Sequence, residues 1–368
     1  IFMCGVFSIL NNTYQTSNIS KGFYLGKKRG PEQSTLRFEN NNKLVLGFHR
    51  LAINGFNNIN SEQPLETDNC ILICNGEIYN WKKIYKSLSI IPNTTSDCEV
   101  IIHLYERFGI DYTLQVLDGV FAFILFDKKN NKVYIARDTF GIRPLFISTI
   151  KDSDSFDPIL FASEIKMVQD INCRLTDVRQ FNPGTVSTYD LIDNNYILNN
   201  NKTFSRPNSF TNNTMHNYTT ILSNLRHCLI NAVKKRVDNT DRKIACLLSG
   251  GLDSSLITAL VKKYYPQKEL HTWSIGMTGS EDLKYAQKVA DHIGTIHHSI
   301  ELTEAEFLDA IPEVIYDIES YDTTSVRASV GNWLICKYIK ENSDGKVIFN
   351  GDGSDELLGG YMYFHCAP

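Results

Sequence analysis

Short apolar segments, separated by turn-forming residues, recur along the chain up to about Leu191. Segments of this kind predict β-strands. The predicted strands are Met3 to Leu10, Leu44 to Ile53, Ile71 to Ile78, Val120 to Asp127, Lys132 to Arg137, Leu145 to Ile147, Ile159 to Ala162 and Thr185 to Tyr189. Two segments, Trp81 to Leu88 and Cys98 to Phe108, have helical spacing instead. Residues 4–192 are therefore predicted to form an α+β domain with mostly antiparallel strands.

The next segment, residues 193–217, is rich in Asn, Ser and Thr and has little apolar periodicity. Such a composition is typical of a loop or linker. We predict that it joins two domains.

After Tyr218, helical patterns alternate with short apolar strands. The predicted strands are Ile244 to Leu248, Thr272 to Ile275, His298 to Leu302 and Val347 to Asn350, and the predicted helices are Thr220 to Val237, Asp253 to Lys263, Asp282 to Ile293, Glu304 to Ile318 and Val326 to Ile339. Alternation of this kind predicts an α/β domain, residues 218–368, with a doubly wound parallel sheet. Ligands bind such sheets at the carboxyl ends of the strands. Because a domain of this layout normally continues past Pro368, we expect its C-terminal part to be missing here.

Length, composition and net charge exclude some classes of function. The chain has 368 residues, 42% hydrophobic residues and a net charge of −4, which gives no general attraction to nucleic acid or to anionic membranes. Its nine cysteines contain no C-x-x-C pair, which is typical of reduced thiols and predicts a cytoplasmic protein. No apolar run is long enough to cross a bilayer.

A glycine-rich loop, Ser249 to Ser255, follows a predicted strand and begins a helix. Backbone N–H groups at a helix start, together with serine hydroxyls, bind phosphate. Asp253 adds a negative charge, which suits the loop if a divalent cation bridges the carboxylate and the phosphates. The loop has no Gly-Lys-Ser/Thr ending, so kinase or GTPase chemistry is disfavoured. The motif resembles the pyrophosphate loop of N-type ATP pyrophosphatases; an ordinary strand-to-helix turn is the alternative.

A second loop, Asn350 to Glu356, also follows a strand and carries two glycines and three carboxylates. Alone it is a moderate signal, because turns of glycine and acidic residues are common. Beside the first loop it predicts a site for metal and adenylate chemistry.

Cys4 lies at the start of the first predicted strand. A thiol that attacks an amide needs a base, an oxyanion hole and groups that hold the substrate. Asn75 and Gly76 suit the oxyanion hole, Arg50 suits a substrate carboxylate, and Asp97 suits a substrate ammonium. The alternative is that Cys4 is an inert buried thiol.

These segments resemble class II glutamine amidotransferases, whose glutaminase domain is an N-terminal-nucleophile hydrolase sandwich. Further segments match in order: Arg29 to Glu32, Ser96 to Glu99, Asp118 to Ala122, Arg137 to Leu145 and Ala162 to Glu164. The resemblance implies glutamine binding by Arg50, Leu51, Ala52, Ile53, Asn54, Asn75, Gly76, Glu77 and Asp97. It also implies that the free α-amine of an N-terminal Cys4 is the general base. Ile1 and Phe2 precede Met3 here, which departs from the family, and Cys4 has no free amine while these residues remain. We expect Met3 to be the true initiator and to be removed, because the small Cys side chain follows it.

The order of the two domains, and the stretch Ile318 to Ser329, resemble the glutamine-hydrolysing asparagine synthetase family. The resemblance implies that ATP and aspartate form β-aspartyl-AMP, and that ammonia released at Cys4 reaches it through an internal tunnel. ATP contacts are implied for Leu247, Ser249, Gly250, Gly251, Leu252, Asp253, Ser254, Ile275, Asn350 and Gly351. Aspartate contacts are implied for Asp322, Thr324, Ser325 and Arg327, and Mg²⁺ contacts for Asp253 and Asp355. The expected partners are small molecules and a second copy in a homodimer.

Two positions depart from the family pattern. The family usually has Ser at the position of Asn350 and Glu at that of Asp352, which is implied to act catalytically in adenylate formation. Because the shorter carboxylate changes reach by about one methylene, and a misplacement of about 1 Å can cost on the order of 100-fold in rate, we expect reduced adenylation.

Two other interpretations remain open. One is an asparagine-synthetase-like amide or lactam ligase that acts on another carboxylate, although such enzymes usually have a degenerate glutaminase site. The other is a truncated, non-catalytic binding protein, which the intact motifs at both sites disfavour. The stretch Ile318 to Ser329 also has a simpler explanation, a polar loop that caps a helix.

Overall fold

The computed structural model describes residues 3–150, 156–169, 171, 176–205, 217–266 and 268–366. The chain divides into two compact units, residues 2–212 and residues 213–368. Each unit is described by itself.

Within the described residues, the N-terminal unit contains two six-stranded antiparallel sheets. The first has the spatial order β10 (Thr176–Gln180), β8 (Phe146–Ile150), β9 (Ile159–Ala162), β1 (Gly5–Leu10), β3 (Leu44–Arg50) and β2 (Gln33–Glu39). The second has the order β12 (Asn195–Thr203), β11 (Thr185–Ile192), β7 (Lys132–Arg137), β6 (Gly119–Asp127), β5 (Cys70–Ile78) and β4 (Leu65–Glu66).

The two sheets pack face to face and helices cover their outer faces. Val6 and Phe48 of the first sheet share a core with Ile73 and Ile124 of the second. The helices are α1 (Thr16–Leu25) and α4 (Lys166–Gln169) on the first sheet, and α2 (Trp81–Leu88) and α3 (Val100–Val116) on the second. Because both faces of the central strands are buried, these strands are continuous apolar runs, and each large side chain stabilises the fold by about 1.5–3 kcal/mol. This four-layer sandwich is the predicted α+β architecture.

Several elements were not predicted from the sequence. Strands β2, β4, β10 and β12 and helix α1 have no counterpart in the prediction. Helix α3 continues past the predicted end at Phe108, but Gly109 breaks its geometry with φ 79° and ψ 174°.

The predicted linker is wrong for residues 195–203, which form β12 and pair with β11. The pairing begins at a tight turn in which Asp193 and Asn194 have φ of 47° and 64°. Two consecutive positive φ values are typical of a hairpin turn. Tyr196 is fully buried, while most later residues of the polar strand are exposed. The remaining predicted linker residues 206–216 lie outside the described residues.

The C-terminal unit contains a four-stranded parallel sheet in the order β15 (Ile296–Leu302), β14 (His271–Met277), β13 (Ile244–Leu247) and β16 (Val347–Phe349). The helices are α5 (Tyr218–Val237), α6 (Leu252–Tyr264), α7 (Glu281–Ile293), α8 (Glu304–Asp309), α9 (Ile311–Ile318), α10 (Thr323–Asn342) and α11 (Ser354–Leu358).

Helices lie on both faces of this sheet. Cys246 packs with residues of α5 and α6, and its neighbour Ala245 packs with Ile335 of α10 on the opposite face. The result is the predicted doubly wound arrangement. The single helix predicted for Glu304 to Ile318 is wrong, because the structure divides it into α8 and α9. Pro312 sits at the start of α9 and has no N–H to continue the first helix.

Candidate functional site

The candidate nucleophile, Cys4, lies immediately before β1 and beside the residue that follows β3. Its Sγ is 3.3 Å from both the backbone N and the carbonyl O of Leu51. Arg29 donates from Nε to the Cys4 carbonyl at 3.0 Å and pairs with Glu164 at 3.3 Å. The backbone of Cys4 is therefore held by a buried ion pair that the site prediction did not include.

Burial raises the pKa of the Cys4 thiol to about 11, although the Leu51 N–H and the nearby Arg143 guanidinium favour the thiolate. The thiol is therefore protonated near neutral pH. Because the thiolate is the nucleophile, this thiol needs a base that removes its proton.

The candidate oxyanion hole lies on β5. Asn75 is 2% exposed, and within the described residues its Nδ2 is buried with no hydrogen-bond partner. Buried donors are almost always paired in proteins, so this amide suits an acceptor supplied by a ligand. A Cβ at Gly76 would lie 2.8 Å from the carbonyl O of Val120, which explains the glycine at that position.

The predicted glutamine-binding residues lie in the loop after β3 and around the end of β5. Arg50 is buried and donates from Nη2 to the carbonyl O of Gly55 at 2.8 Å. The N–H of Ala52 donates to Oε2 of Glu32 at 2.7 Å, an anchor of this loop that was also absent from the site prediction. Leu51 is buried as well, and Ile53 and Asn54 are half-buried.

Asp97 is buried and accepts the N–H of Ile78 at 2.7 Å. Burial and the nearby Glu77 raise its pKa to about 7, while the Ile78 N–H and the Asn54 side chain oppose this rise. Glu77 itself pairs with Arg143 at 2.7 Å. The structure thus brings Asn54, Glu77 and Asp97 together, as a substrate ammonium site requires.

The phosphate loop lies at the carboxyl end of β13 and leads into α6. The hydroxyls of Ser249 and Ser254 are 2.9 Å apart, and Ser255 donates to the carbonyl O of Gly251 at 2.6 Å. Gly250 has φ 84°, and a Cβ there would lie 2.6 Å from the backbone N of Ala286. Glycine is therefore required at this position, both by its φ and by the space available.

The second loop follows β16, which is the parallel neighbour of β13. A Cβ at Gly351 would lie 2.7 Å from the N of Ser254 and 3.0 Å from the Cβ of Asp253. The two predicted loops are therefore in contact. Asp253 and Asp355 each lie in the first turn of a helix at this edge.

The other predicted ATP contacts differ in their surroundings. Leu247 and Ile275 are half-buried and pack against the core beneath α10. The Leu252 side chain is 82% exposed at the start of α6. It can contact a ligand at the loop but takes no part in the core.

The residues predicted to bind aspartate lie at the start of α10. Oδ2 of Asp322 accepts the N–H and the hydroxyl of Ser325, each at 2.9 Å. This contact is a helix cap, which is the simpler explanation given above for this stretch. Thr324 and Arg327 are exposed in the first turns of the same helix.

Oxygen ligands at Asp253 and Asp355 fit Mg²⁺, which is held by one or two carboxylates together with substrate phosphates. Within the described residues, no group of three or more His, Cys, Asp or Glu side chains has the arrangement of a metal site. No helix in the described ranges is long and apolar enough to cross a membrane.

The sandwich with a cysteine at the start of its first strand, followed by a parallel sheet with a pyrophosphate loop, defines a glutamine amidotransferase joined to an ATP pyrophosphatase. Residues 3–219 match the family model of the glutamine amidotransferase domain, and residues 224–368 match that of asparagine synthase. The chain belongs to the glutamine-hydrolysing asparagine synthetase family.

Curated relatives support this assignment. The glutamine-hydrolysing asparagine synthetases of Bos taurus and Homo sapiens are 40% and 39% identical to the whole chain. The chain spans 68% of the length of each. A solved structure of the allosteric regulatory enzyme of purine biosynthesis is 16% identical, with a TM-score of 0.46, over 97% of this chain and 91% of that one.

Proposed function

We propose that the protein is a glutamine-hydrolysing asparagine synthase. It would convert ATP, L-aspartate, L-glutamine and water to L-asparagine, L-glutamate, AMP and diphosphate. The observation that carries the proposal is the presence of both sites in one chain: the buried Asn75 amide, unpartnered within the described residues, in the same unit as Cys4, and the paired phosphate loops of the parallel sheet.

In the glutaminase half, the Cys4 thiolate attacks the side-chain amide carbon of glutamine. The carbon–sulfur bond forms, and Asn75 Nδ2 donates to the developing oxyanion. The carbon–nitrogen bond then breaks, ammonia leaves with the proton taken from Cys4, and water hydrolyses the thioester to glutamate. The base in this proposal is the α-amine of Cys4, which exists as an amine only when Met3 has been removed.

In the synthetase half, an oxygen of the aspartate β-carboxylate attacks the α-phosphorus of ATP and pyrophosphate leaves. Ammonia then attacks the carbonyl of β-aspartyl-AMP, and AMP leaves with formation of asparagine. Ser249, Ser254 and the start of α6 would hold the phosphates. When bound, Mg²⁺ would neutralise phosphate charge, held by Asp253 and Asp355.

The test is formation of asparagine and AMP from glutamine, aspartate and MgATP by the full-length protein with Cys4 as its first residue. Ammonia replaces glutamine in a parallel reaction. We expect product from both nitrogen sources. Product from ammonia alone would refute the glutaminase half, and product from neither source would refute the proposed function. AMP formed with a carboxylate other than aspartate would indicate a different ligase.

We also propose a cytoplasmic location, because every cysteine in the described residues is a free thiol. Cell fractionation tests it, and recovery with secreted proteins would contradict it. The homodimer expected from the family resemblance is tested by light scattering of the purified protein.

A further inference from the structure

Asp352 lies in the exposed turn between β16 and α11, and two amides meet its carboxylate. Oδ2 accepts from Nδ2 of Asn350 at 2.7 Å and from Nδ2 of Asn332 at 3.4 Å. The shorter contact has the length of a charge-assisted hydrogen bond, which is stronger than a bond between neutral groups. Both donors reach the same oxygen, so the other carboxylate oxygen stays available to a ligand.

The residue before Asp352 is tightly packed, whereas the residue after it has open space around it. Gly351 is packed against Ser254 and Asp253 of the phosphate loop. Gly353 has φ 91°, and no atom lies within 4 Å of the position that its Cβ would occupy. The main chain therefore places Asp352 beside the phosphate loop, while the direction of its side chain depends on the two amides.

Asn332 connects this turn to α10. It lies seven residues after Ser325, two helical turns along, so the two residues share one face of the helix. The same helix carries the residues predicted to bind aspartate. The Asn332 amide thus links the Asp352 carboxylate, which is predicted to act in adenylate formation, to α10, the helix predicted to bind aspartate.

We propose that Asn350 is a positioning residue that fixes the Asp352 carboxylate for adenylate formation, with Asn332 as a weaker second contact. The inference rests on the proposed synthetase function. It implies that the side chains at positions 350 and 352 must match in length. A Glu carboxylate at position 352, one methylene longer, would extend beyond the Asn350 amide. A shorter hydroxyl side chain at position 350 would leave room for that longer carboxylate. This compensation was not part of the sequence-based expectation of reduced adenylation.

The test is a double-mutant cycle on aspartate-dependent exchange between ATP and pyrophosphate. Asn350→Ser and Asp352→Glu are each expected to lower the exchange rate about tenfold, because each disturbs the contact that sets the direction of the carboxylate and a small misplacement of a reacting group slows a reaction strongly. The KM for aspartate should stay within about twofold, because neither substitution changes a predicted aspartate contact, and an unchanged KM also shows that the variants fold. The double variant should recover to within about threefold of the parent, because a coupled pair is not additive.

A matched control is Asn342→Ser. Asn342 lies on α10, the helix of Asn332, and its amide donates to the carbonyl of Tyr338 rather than to Asp352. The exchange rate of this variant should stay within about twofold of the parent. If Asn350→Ser exchanges as fast as the parent, the positioning role alone is overturned. The same holds if the double variant is about 100-fold slower than the parent, because the two effects would then be additive. A parent chain without any aspartate-dependent exchange overturns the proposed function and this role with it.

Discussion

At the scale of single residues, Asp97 combines a buried position with a proposed role, binding of a substrate ammonium, that needs a negative charge. Its pKa of about 7 is caused mainly by burial, with Glu77 adding to the rise. A carboxyl group whose pKa lies near 7 can be ionised when it binds a substrate ammonium and protonated when the site is empty. The Asp97 environment therefore links substrate affinity to pH.

We predict that glutamine affinity falls about tenfold for each pH unit below about 7. Ionised Asp97 is the binding form, and a proton competes with the substrate ammonium below its pKa. Calorimetric titration of glutamine into a Cys4→Ala variant measures binding without turnover. Asp97→Asn should bind weakly with a flat pH profile; a tenfold-per-unit slope that persists in this variant would assign the titration to another group.

His49 links protonation to the stability of the fold. Its ring is fully buried, stacks on Phe23 with centroids 4.0 Å apart, and contacts the Phe23 carbonyl at 2.8 Å. Burial, together with Lys27 and Arg29, lowers its pKa to about 4. Because the folded-state pKa is lower than the unfolded value of about 6.5, the folded state binds fewer protons in this window.

The stability contributed by neutral His49 is therefore present above about pH 6.5 and is lost as pH falls toward about 4. Between pH of about 7.5 and 5 we expect the difference in unfolding free energy between the parent and His49→Gln to shrink by about 2 kcal/mol. Urea denaturation of both proteins at the two pH values measures it. A constant difference would show that His49 does not titrate in this window.

At the scale of elements, β12 shows where sequence patterns fail. Its Asn-rich composition matches a linker, yet the strand needs only Tyr196 and a turn with positive φ to pair with β11. The Asp193–Asn194 pair is a sequence signal for such a turn, because Asp and Asn tolerate positive φ better than most residues. By contrast, the buried runs of β5 and β6 were predicted closely, because a continuous apolar run follows directly from burial on both faces of a strand.

The candidate site was predictable to a similar extent. Loop motifs located Cys4 and the phosphate loop, since glycine and nucleophile positions are local properties of the chain. The Arg29–Glu164 pair, the Glu32 anchor and the Asn332 contact join residues far apart in sequence. Their roles depend on tertiary distances that a single sequence does not contain.

We predict that Tyr196→Ala destabilises the protein by about 3–5 kcal/mol. The change removes a fully buried aromatic ring and leaves a cavity. Leu198→Ala on the same strand is the control, because its side chain is 50% exposed and should cost less than about 1 kcal/mol. Chemical denaturation measures both. Equal and small effects would mean that residues 195–203 behave as a linker after all.

The phosphate loop gives a second prediction at this scale. Gly250→Ala is expected to weaken MgATP binding at least about tenfold, because the new Cβ would lie 2.6 Å from a backbone nitrogen of α7. Gly279→Ala is a matched control: its φ is 81°, but no atom lies within 4 Å of the added Cβ. The control should lose about 1–2 kcal/mol of stability to backbone strain but bind MgATP as tightly as the parent. Fluorescent nucleotide titration measures both, and equal affinities would contradict the steric argument.

At the scale of the whole molecule, each half of the proposed reaction has its own structural support. The N-terminal sheets enclose a core shared by both sheets and two outer cores beneath the helices. The C-terminal sheet has separate cores on its two faces. Because sites with no shared partners are usually independent, a substitution that disables one half should leave the other folded.

The two half-reactions should therefore separate by mutation. Cys4→Ala is expected to lower glutamine-dependent asparagine synthesis at least about 1,000-fold, since the nucleophile is lost, while ammonia-dependent synthesis persists. Asp253→Asn should instead lower asparagine synthesis from both nitrogen sources while glutamine hydrolysis persists, because the change alters the phosphate loop and lies outside the unit that contains Cys4. Glutamate and asparagine formation, measured in parallel with glutamine and with ammonia, distinguish the two variants. If Cys4→Ala abolished synthesis from ammonia as well, the thiol would have to support the fold of both units, which its position before β1 in the N-terminal unit gives no reason to expect.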